Sequence, residues 1–188
     1  MLYTRKGDTG STKLFDAPQG MRLSKDSRIF EALGTVDELN CSIGYAKALS
    51  QVGGNTILVD GTTASFVEIL EKIQQILFKI QAELGGSPKN AEEADVLFLE
   101  SVIQGVEAVI PPITTFIVPG GVPEGAYLDV CRTVARRAER SVVSIRNAGV
   151  RNVHDASVQF LNRLSSALYA LARLANHEKG FGESSPRY

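Results

Sequence analysis

Apolar residues recur every three or four positions in five stretches of the chain, and this spacing predicts five amphipathic helices. The first is predicted to begin at Asp26 or Ser27, either of which can serve as its N-cap. Gly85–Gly86 ends the second, and Pro111–Pro112 stops the third because proline cannot continue a helix. The predicted helical stretches run from Ser27 past Ala46, from Phe66 to Leu84, from Val96 to Ile110, from Pro123 to about Asn147, and from Asp155 to Gly180 or Gly182.

The segments between these helices carry little periodic signal. Residues 1–24 are predicted to form an N-terminal loop, and Ile113–Val118 is predicted to be extended up to the turn Pro119–Gly121. Residues 25–180 then form a helical bundle, and 181–188 a C-terminal tail. The predicted fold class is therefore all-α, a five-helix bundle in one domain spanning 1–188.

Composition and charge exclude several classes of protein. Lys and Arg number 20 against 21 Asp and Glu, so the net charge is -1 and no basic surface is available to hold nucleic acid. No apolar run approaches the roughly 20 residues of a membrane-spanning helix. With no signal sequence after Met1, we expect an intracellular, cytoplasmic protein, or one of the mitochondrial matrix if a presequence was removed. We expect no partner among nucleic acids or membranes.

The two cysteines and two histidines argue against a protein-held metal. Cys41 and Cys131 lie far apart within apolar periodic stretches, and both are predicted to be buried, reduced thiols. His154 and His177 belong to no zinc or di-iron motif.

The N-terminal loop contains a candidate anion site at Thr4–Lys13. Its glycines permit positive φ, so successive backbone N–H groups can converge on a phosphate. The spacing is not that of a Walker A loop. A simple N-terminal turn explains the same residues equally well.

The fourth predicted helix carries a row of arginines, Arg132, Arg136 and Arg140, with Arg137 and Glu139 alongside. Like charges at i, i+4 repel by roughly 0.2 to 0.5 kcal/mol per pair. A solvated face relieved by Asp129 and Glu139 is one explanation. The other explanation is that the arginines bind a nucleotide triphosphate. The N-terminal loop, as a second candidate phosphate site, favours this explanation.

Three further positions remain ambiguous from the residues alone. Asn40 falls on the apolar stripe of the first helix and requires a polar partner there. Asn162 and Arg163 lie among apolar residues of the fifth helix and are either ligand contacts or structural polar groups. Phe116 is either a core aromatic or a ring presented to a ligand.

Five blocks of the sequence, taken together, resemble the PduO-type ATP:cob(I)alamin adenosyltransferases. The blocks span nearly the whole chain in the family's order, and the fourth is the most distinctive. They are Thr4–Gly10, Gly34–Asn40, Phe116–Gly121, Arg132–Arg140 and Phe160–Ser165.

The resemblance implies a homotrimer with active sites between subunits, in which cobalt(I) of reduced cobalamin attacks C5′ of ATP. Adenosylcobalamin forms and triphosphate leaves. The implied catalytic residues are Arg132, Asp37, which would pair with Arg132 across the subunit interface, and Phe116, which would displace the lower axial ligand of cobalt. The implied ATP-binding residues are Thr4, Arg5, Lys6, Gly7, Gly10, Thr12, Lys25, Arg132, Arg136, Arg137, Glu139 and Asn162.

The resemblance also implies Mg²⁺ on the ATP phosphates, a flavin reductase as electron source and an adenosylcobalamin-dependent enzyme as recipient. Asp129 and Cys131 depart from the family's frequent His and Ala. A competing hypothesis is a helical module that senses ATP or carries adenosylcobalamin without catalysis.

Overall fold

The computed structural model describes residues 3–188, and of residues 51–53 the backbone only; the predicted N-terminal loop thus has Met1 and Leu2 outside the described residues. Within these residues there are five helices, as the sequence predicts. Two small antiparallel sheets are also present there, which the sequence analysis does not predict, so the fold is mostly helical. The helices are α1 (Arg28–Gly53), α2 (Phe66–Leu84), α3 (Glu93–Glu107), α4 (Pro123–Asn147) and α5 (Asp155–Glu178). The sheets pair β1 (Ser11–Thr12) with β2 (Leu23–Ser24), and β3 (Thr56–Val59) with β4 (Thr62–Ser65).

The helix ends follow local side-chain chemistry. Ser27 is the N-cap of α1, although its hydroxyl donates to Ser24 O instead of accepting from the helix. Ser65 and Glu68 form a reciprocal capping box at the start of α2, and these hydrogen bonds hold the pKa of Glu68 below its ordinary value. Gly180, with φ of 67°, follows the last turn of α5.

The helices pack so that α1 lies between α2 and α4, and α5 lies between α4 and α3. Two contacts establish the relative direction of α1 and α4. Glu38 bonds Arg137, and Tyr45, which comes later in α1, packs edge-on against Tyr127, which comes earlier in α4. The two helices therefore run antiparallel. Their inward faces are buried, together with those of α2, α3 and α5, in one apolar core that stabilises the bundle.

Helical periodicity does not predict the hairpin β3–β4, although the sequence contains the signal of a hairpin. Ile57 and Val59 alternate with polar or exposed positions, and Asp60–Gly61 supplies the two positive φ angles of a tight turn, 50° and 74°. Gly105 of α3 lets the hairpin approach, since a Cβ there would lie 2.2 Å from Leu58 O. Within the described residues, the Ile113–Val118 stretch predicted as extended pairs with no strand.

The cysteine prediction is half wrong. Cys131 is buried in α4, where burial raises its pKa to about 12, but Cys41 is exposed. Cys41 follows Asn40 on α1 and points away from the stripe that the apolar residues define, so helical rotation places it on the surface. Across residues 3–188, none of the helices combines the length and apolar character needed to cross a bilayer.

Candidate active site

A cleft of about 490 Å³ lies between α4, α5 and the connection from α3 to α4. We call residues 111–122 of this connection the Phe116 segment. Its side of the cleft includes Phe116, whose side chain is 81% exposed. The core-aromatic alternative for Phe116 is therefore wrong.

The side of the cleft formed by α4 is basic. Arg132 Nε donates to Asp129 Oδ1 at 2.8 Å, and its guanidinium lies 5.7 Å from the ring centre of Tyr169. Arg136, one helical turn later, also lines the cleft and is exposed. Burial raises the pKa of Tyr169, so its hydroxyl remains protonated at neutral pH. An anion entering the cleft would meet two guanidinium groups, one of which is oriented by the buried carboxylate of Asp129.

The remaining predicted nucleotide contacts of α4 and α5 point in other directions. Arg137, rotated about 100° from Arg136, donates to Glu38 Oε2 of α1 at 2.6 Å. Further along, Asn162 Nδ2 donates to Glu139 Oε1 at 2.8 Å on the protein surface. Arg132 and Arg136 of the arginine row thus line the cleft, whereas Arg137 beside them lies on the α1 side of the bundle.

The N-terminal loop is held together mainly by two basic side chains. Lys25 Nζ donates to Gly7 O at 2.9 Å and Lys25 N donates to Gly10 O at 2.9 Å, so Lys25 belongs to the loop with which the resemblance grouped it. Arg22 donates from Nη2 to Lys6 O at 2.6 Å and from Nε to Ser11 Oγ at 2.9 Å. Sequence reasoning did not single out Arg22, and no spacing signal marks it.

The backbone of the loop has the expected curvature. Arg5 has φ of 59° and Gly10 has φ of 75°. Thr4, Lys6 and Thr12 lie in the same stretch; Thr4 and Lys6 are exposed, and Thr12 pairs with Leu23 of β2. The loop is accessible to a ligand along most of its length.

Asp37 and Arg132 do not meet within one chain. Asp37 is exposed on α1 and accepts a hydrogen bond from Gln81 Nε2 at 3.0 Å, whereas Arg132 bonds Asp129. Asn40, predicted to need a partner, is buried and bonds Gln74 O weakly at 3.4 Å; its Oδ1 has no partner among residues 3–188. Arg163 pairs with Glu100, which favours a structural role for it.

Distance along the helices separates the loop from the cleft. Since α1 and α4 are antiparallel and Glu38 contacts Arg137, the start of α1 lies about fifteen helical residues from Arg132, or roughly 20 Å. Within one chain the loop with Lys25 and the cleft therefore lie at different ends of α4, and we call them the two candidate half-sites.

Two polar residues of α5, Arg173 and Asn176, were also missed, although they border the cleft and are buried. Their signal is a charged and an amide side chain on the apolar face of a helix. Among the described residues, no three His, Cys, Asp or Glu side chains gather as a metal site.

Comparison with known proteins matches residues 2–175 to the family model described as cobalamin adenosyltransferase. The corrinoid adenosyltransferase of Bos taurus is 38% identical over 95% of this chain and 73% of its own length. That of Bacillus subtilis is 37% identical over 97% of this chain and 90% of its own. A variant of the PduO-type ATP:corrinoid adenosyltransferase from Lactobacillus reuteri, complexed with cobalamin and ATP, superimposes with a TM-score of 0.85 at 31% identity, covering 100% of this chain and 97% of that one.

Proposed function

Because this chain belongs to the cobalamin adenosyltransferase family and transfers the adenosyl group of ATP to a corrinoid, we propose how its own residues divide that reaction. The corrinoid supplies the nucleophile. The protein's contribution is then to place C5′ of ATP near cobalt, to stabilise the leaving triphosphate and to make cobalt reducible.

The proposed reaction is a displacement at carbon. The electron pair of cobalt(I) forms the cobalt–carbon bond to C5′, and the C5′–oxygen bond breaks with its pair remaining on triphosphate. No proton has to move to balance this step. The largest demand on the protein is therefore the negative charge of the leaving group.

Arg132, Arg136 and Arg137 are assigned to that charge, together with the N-terminal loop. Guanidinium groups suit phosphate oxygens because their N–H groups bond in pairs. Gly7, Gly10 and Lys25 provide backbone and ammonium groups at the loop, and Glu139 and Asn162 are assigned to the nucleoside. Mg²⁺ would enter on the phosphates.

The roughly 20 Å between the loop and Arg132 supports a site shared between subunits. One chain does not place both half-sites against a single nucleotide, so the loop of one subunit would complete the cleft of its neighbour. A homotrimer satisfies this requirement three times. Asp37 of one subunit would then bond Arg132 of the next, in place of or beside Asp129.

The observation that carries the assignment of the corrinoid site is that the exposed Phe116 lines the same cleft as Arg132 and Arg136. An 81%-exposed phenylalanine contributes little to the core, and its apolar surface suits the flat face of a corrin. We assign Phe116 to displacing the lower axial ligand, which makes cobalt(II) easier to reduce.

The test is to mix the protein with Mg-ATP and chemically reduced cobalamin and to follow the absorbance of photolabile adenosylcobalamin. Turnover distinguishes a catalyst from a module that only binds ATP or carries the product. Stoichiometric binding without turnover would overturn the catalytic assignment. Mass measurement of the native assembly tests the trimer separately.

A further inference from the structure

Arg173 connects three parts of the structure at the edge of the cleft. Its side chain is buried, and it donates from Nε to Glu183 Oε1 at 2.6 Å and from Nη2 to Glu183 Oε2 at 2.9 Å. Nη2 also donates to Pro111 O at 3.0 Å. Arg173 thus links α5 to the C-terminal residues through the bidentate pair with Glu183. Its hydrogen bond to Pro111 links α5 to the first residue of the Phe116 segment.

Asn176, one turn further along α5, holds the other end of the same segment. Its Oδ1 accepts from Val122 N at 2.9 Å and its Nδ2 donates to Gly120 O at 2.8 Å. Gly121 makes this possible, since a Cβ there would lie 2.1 Å from Asn176 Oδ1 and the local φ is 116°. Both ends of the segment are therefore fixed by buried side chains of one helix.

Residues 181–188, which we call the strap, lie along the middle of the segment. Val118 N donates to Ser184 O at 2.9 Å, and the hydroxyls of Thr115 and Ser185 are 2.8 Å apart. These contacts fall on either side of Phe116 in the sequence. Glu183 is the strap residue whose carboxylate is bonded to a buried cation, so it anchors the strap where it meets the segment.

Phe116 has few neighbours of its own to hold it, because its side chain is 81% exposed. The position of its ring therefore depends on the backbone that carries it. A site that must place a ring within a fraction of an ångström needs such support from surrounding residues.

We propose that the Arg173–Glu183 pair is a clamp that positions the Phe116 segment, through the strap and Pro111, for its action on the corrinoid. Arg173 and Glu183 are positioning residues, since they act through the backbone of Phe116. The expected effect of the clamp on adenosylation rests on the function proposed above for Phe116. The expected effect on hydrogen exchange in the segment does not depend on that function.

The experiment compares Glu183→Ala and Glu183→Gln with the parent and with Glu107→Gln, an exposed glutamate at the end of α3 outside the cleft. Hydrogen exchange is measured on residues 111–122. Adenosylation is measured once from cobalt(II)alamin with a mild reductant and once from cobalamin already reduced to cobalt(I). The Michaelis constant for ATP and the melting temperature are recorded for each protein.

We expect Glu183→Ala to speed exchange in the segment and to slow the cobalt(II) route about tenfold, equivalent to about 1.4 kcal/mol. The rate of adenosylation from cobalt(I) and the Michaelis constant for ATP should stay within about twofold of the parent values. Glu183→Gln keeps the shape of the side chain and one acceptor but loses the charge. Its exchange in the segment and its cobalt(II) rate should therefore lie between those of Glu183→Ala and the parent. Glu107→Gln should match the parent.

Unchanged exchange in Glu183→Ala would overturn the clamp whatever the activity. Faster exchange with both routes unaffected would overturn its role in positioning Phe116, and equal losses on both routes with a lowered melting temperature would reduce it to a stability contact. If the parent itself forms no adenosylcobalamin from cobalt(I), the proposed function fails, and the exchange data still decide whether the pair holds the segment.

Discussion

The N-terminal loop and the Phe116 segment are both irregular, both contain glycines with positive φ, and both are assigned to substrate, yet they are held in different ways. The loop is held by exposed side chains of its own neighbourhood, Arg22 and Lys25, bonded to loop carbonyls and to Ser11. The Phe116 segment is held at both ends by buried side chains of α5, Arg173 and Asn176.

This difference bears on what each region can do before substrate arrives. Exposed hydrogen bonds compete with water and contribute little net stability, so the loop is poised to reorganise around a phosphate. Buried, charge-assisted bonds are stronger, so the segment is placed in advance. We infer that nucleotide binding is adaptive and that the corrinoid side of the cleft is preorganised.

The largest expected effect comes from Arg132, where the proposed trimer would bring the two regions together. Arg132→Ala should leave the protein folded and lower adenosylation from cobalt(I) by about 10²- to 10³-fold, as when a donor to developing charge is removed. Lys89→Ala removes an exposed cation from the connection between α2 and α3, outside both regions, and as the control it should retain activity.

A double-mutant cycle tests the proposed partner of Arg132. Asp37→Ala should give a similar defect, and the double variant should lose less than the sum of the two single losses. Strict additivity would separate Asp37 from Arg132. In that case the hydrogen bond from Arg132 to Asp129 within one chain would be the one that matters.

Phe116→Ala tests the Phe116 segment, the region that we infer is preorganised. The substitution should selectively lower the rate of adenosylation from cobalt(II). We expect a loss of at least about tenfold from cobalt(II) and a much smaller loss from cobalt(I), which needs no displaced ligand. Because the ring is 81% exposed, the melting temperature should hardly change. A lowered melting temperature with equal losses on both routes would mean that Phe116 supports the fold instead.

The loop provides the next prediction, a difference in hydrogen exchange on ligand binding. Saturating Mg-ATP should slow exchange in residues 4–13 by about tenfold or more, while exchange in residues 111–122 changes by less than about twofold. The hairpin β3–β4, which packs on α3 and contributes no residue to the loop or to the lining of the cleft, is the internal standard. Unchanged loop exchange would remove the loop from the nucleotide site.

The helices were predictable because each buries one face. Ile69, Ile73, Ile76 and Ile80 mark α2 so regularly that its bounds in the structure equal the predicted ones. Local periodicity carries no information about chain direction in space, so the approach of Gly105 to Leu58, and with it the hairpin on α3, was not predicted.

Site residues were predictable where chemistry left a local pattern, as in the arginine row of α4. Arg173 and Asn176 are polar residues in the apolar pattern of α5, so the sequence could have indicated them. Their partners Glu183 and Gly120 could not be predicted, because the paired residues lie 10 and 56 positions apart in the chain. The pairing of Asp37 with Arg132 involves a second subunit, so it stays a prediction.

The smallest expected effect concerns Asp16, which ties the residues after the anion site to the turn between α4 and α5. Arg151 donates to both carboxylate oxygens, at 2.6 and 3.2 Å, and these hydrogen bonds hold the pKa of Asp16 below its ordinary 3.8. A lowered pKa in the folded state stabilises the protein above the unfolded value and loses that contribution as pH falls through the folded one. Asp16→Asn should therefore lower the melting temperature by at most a few degrees at pH 7, because the pair is solvent-screened, and the difference should shrink as the pH falls below about 3.8. A difference that persists unchanged in acid would show that packing of Asp16 against Gly86, whose φ of 96° brings it close, matters more than the charge.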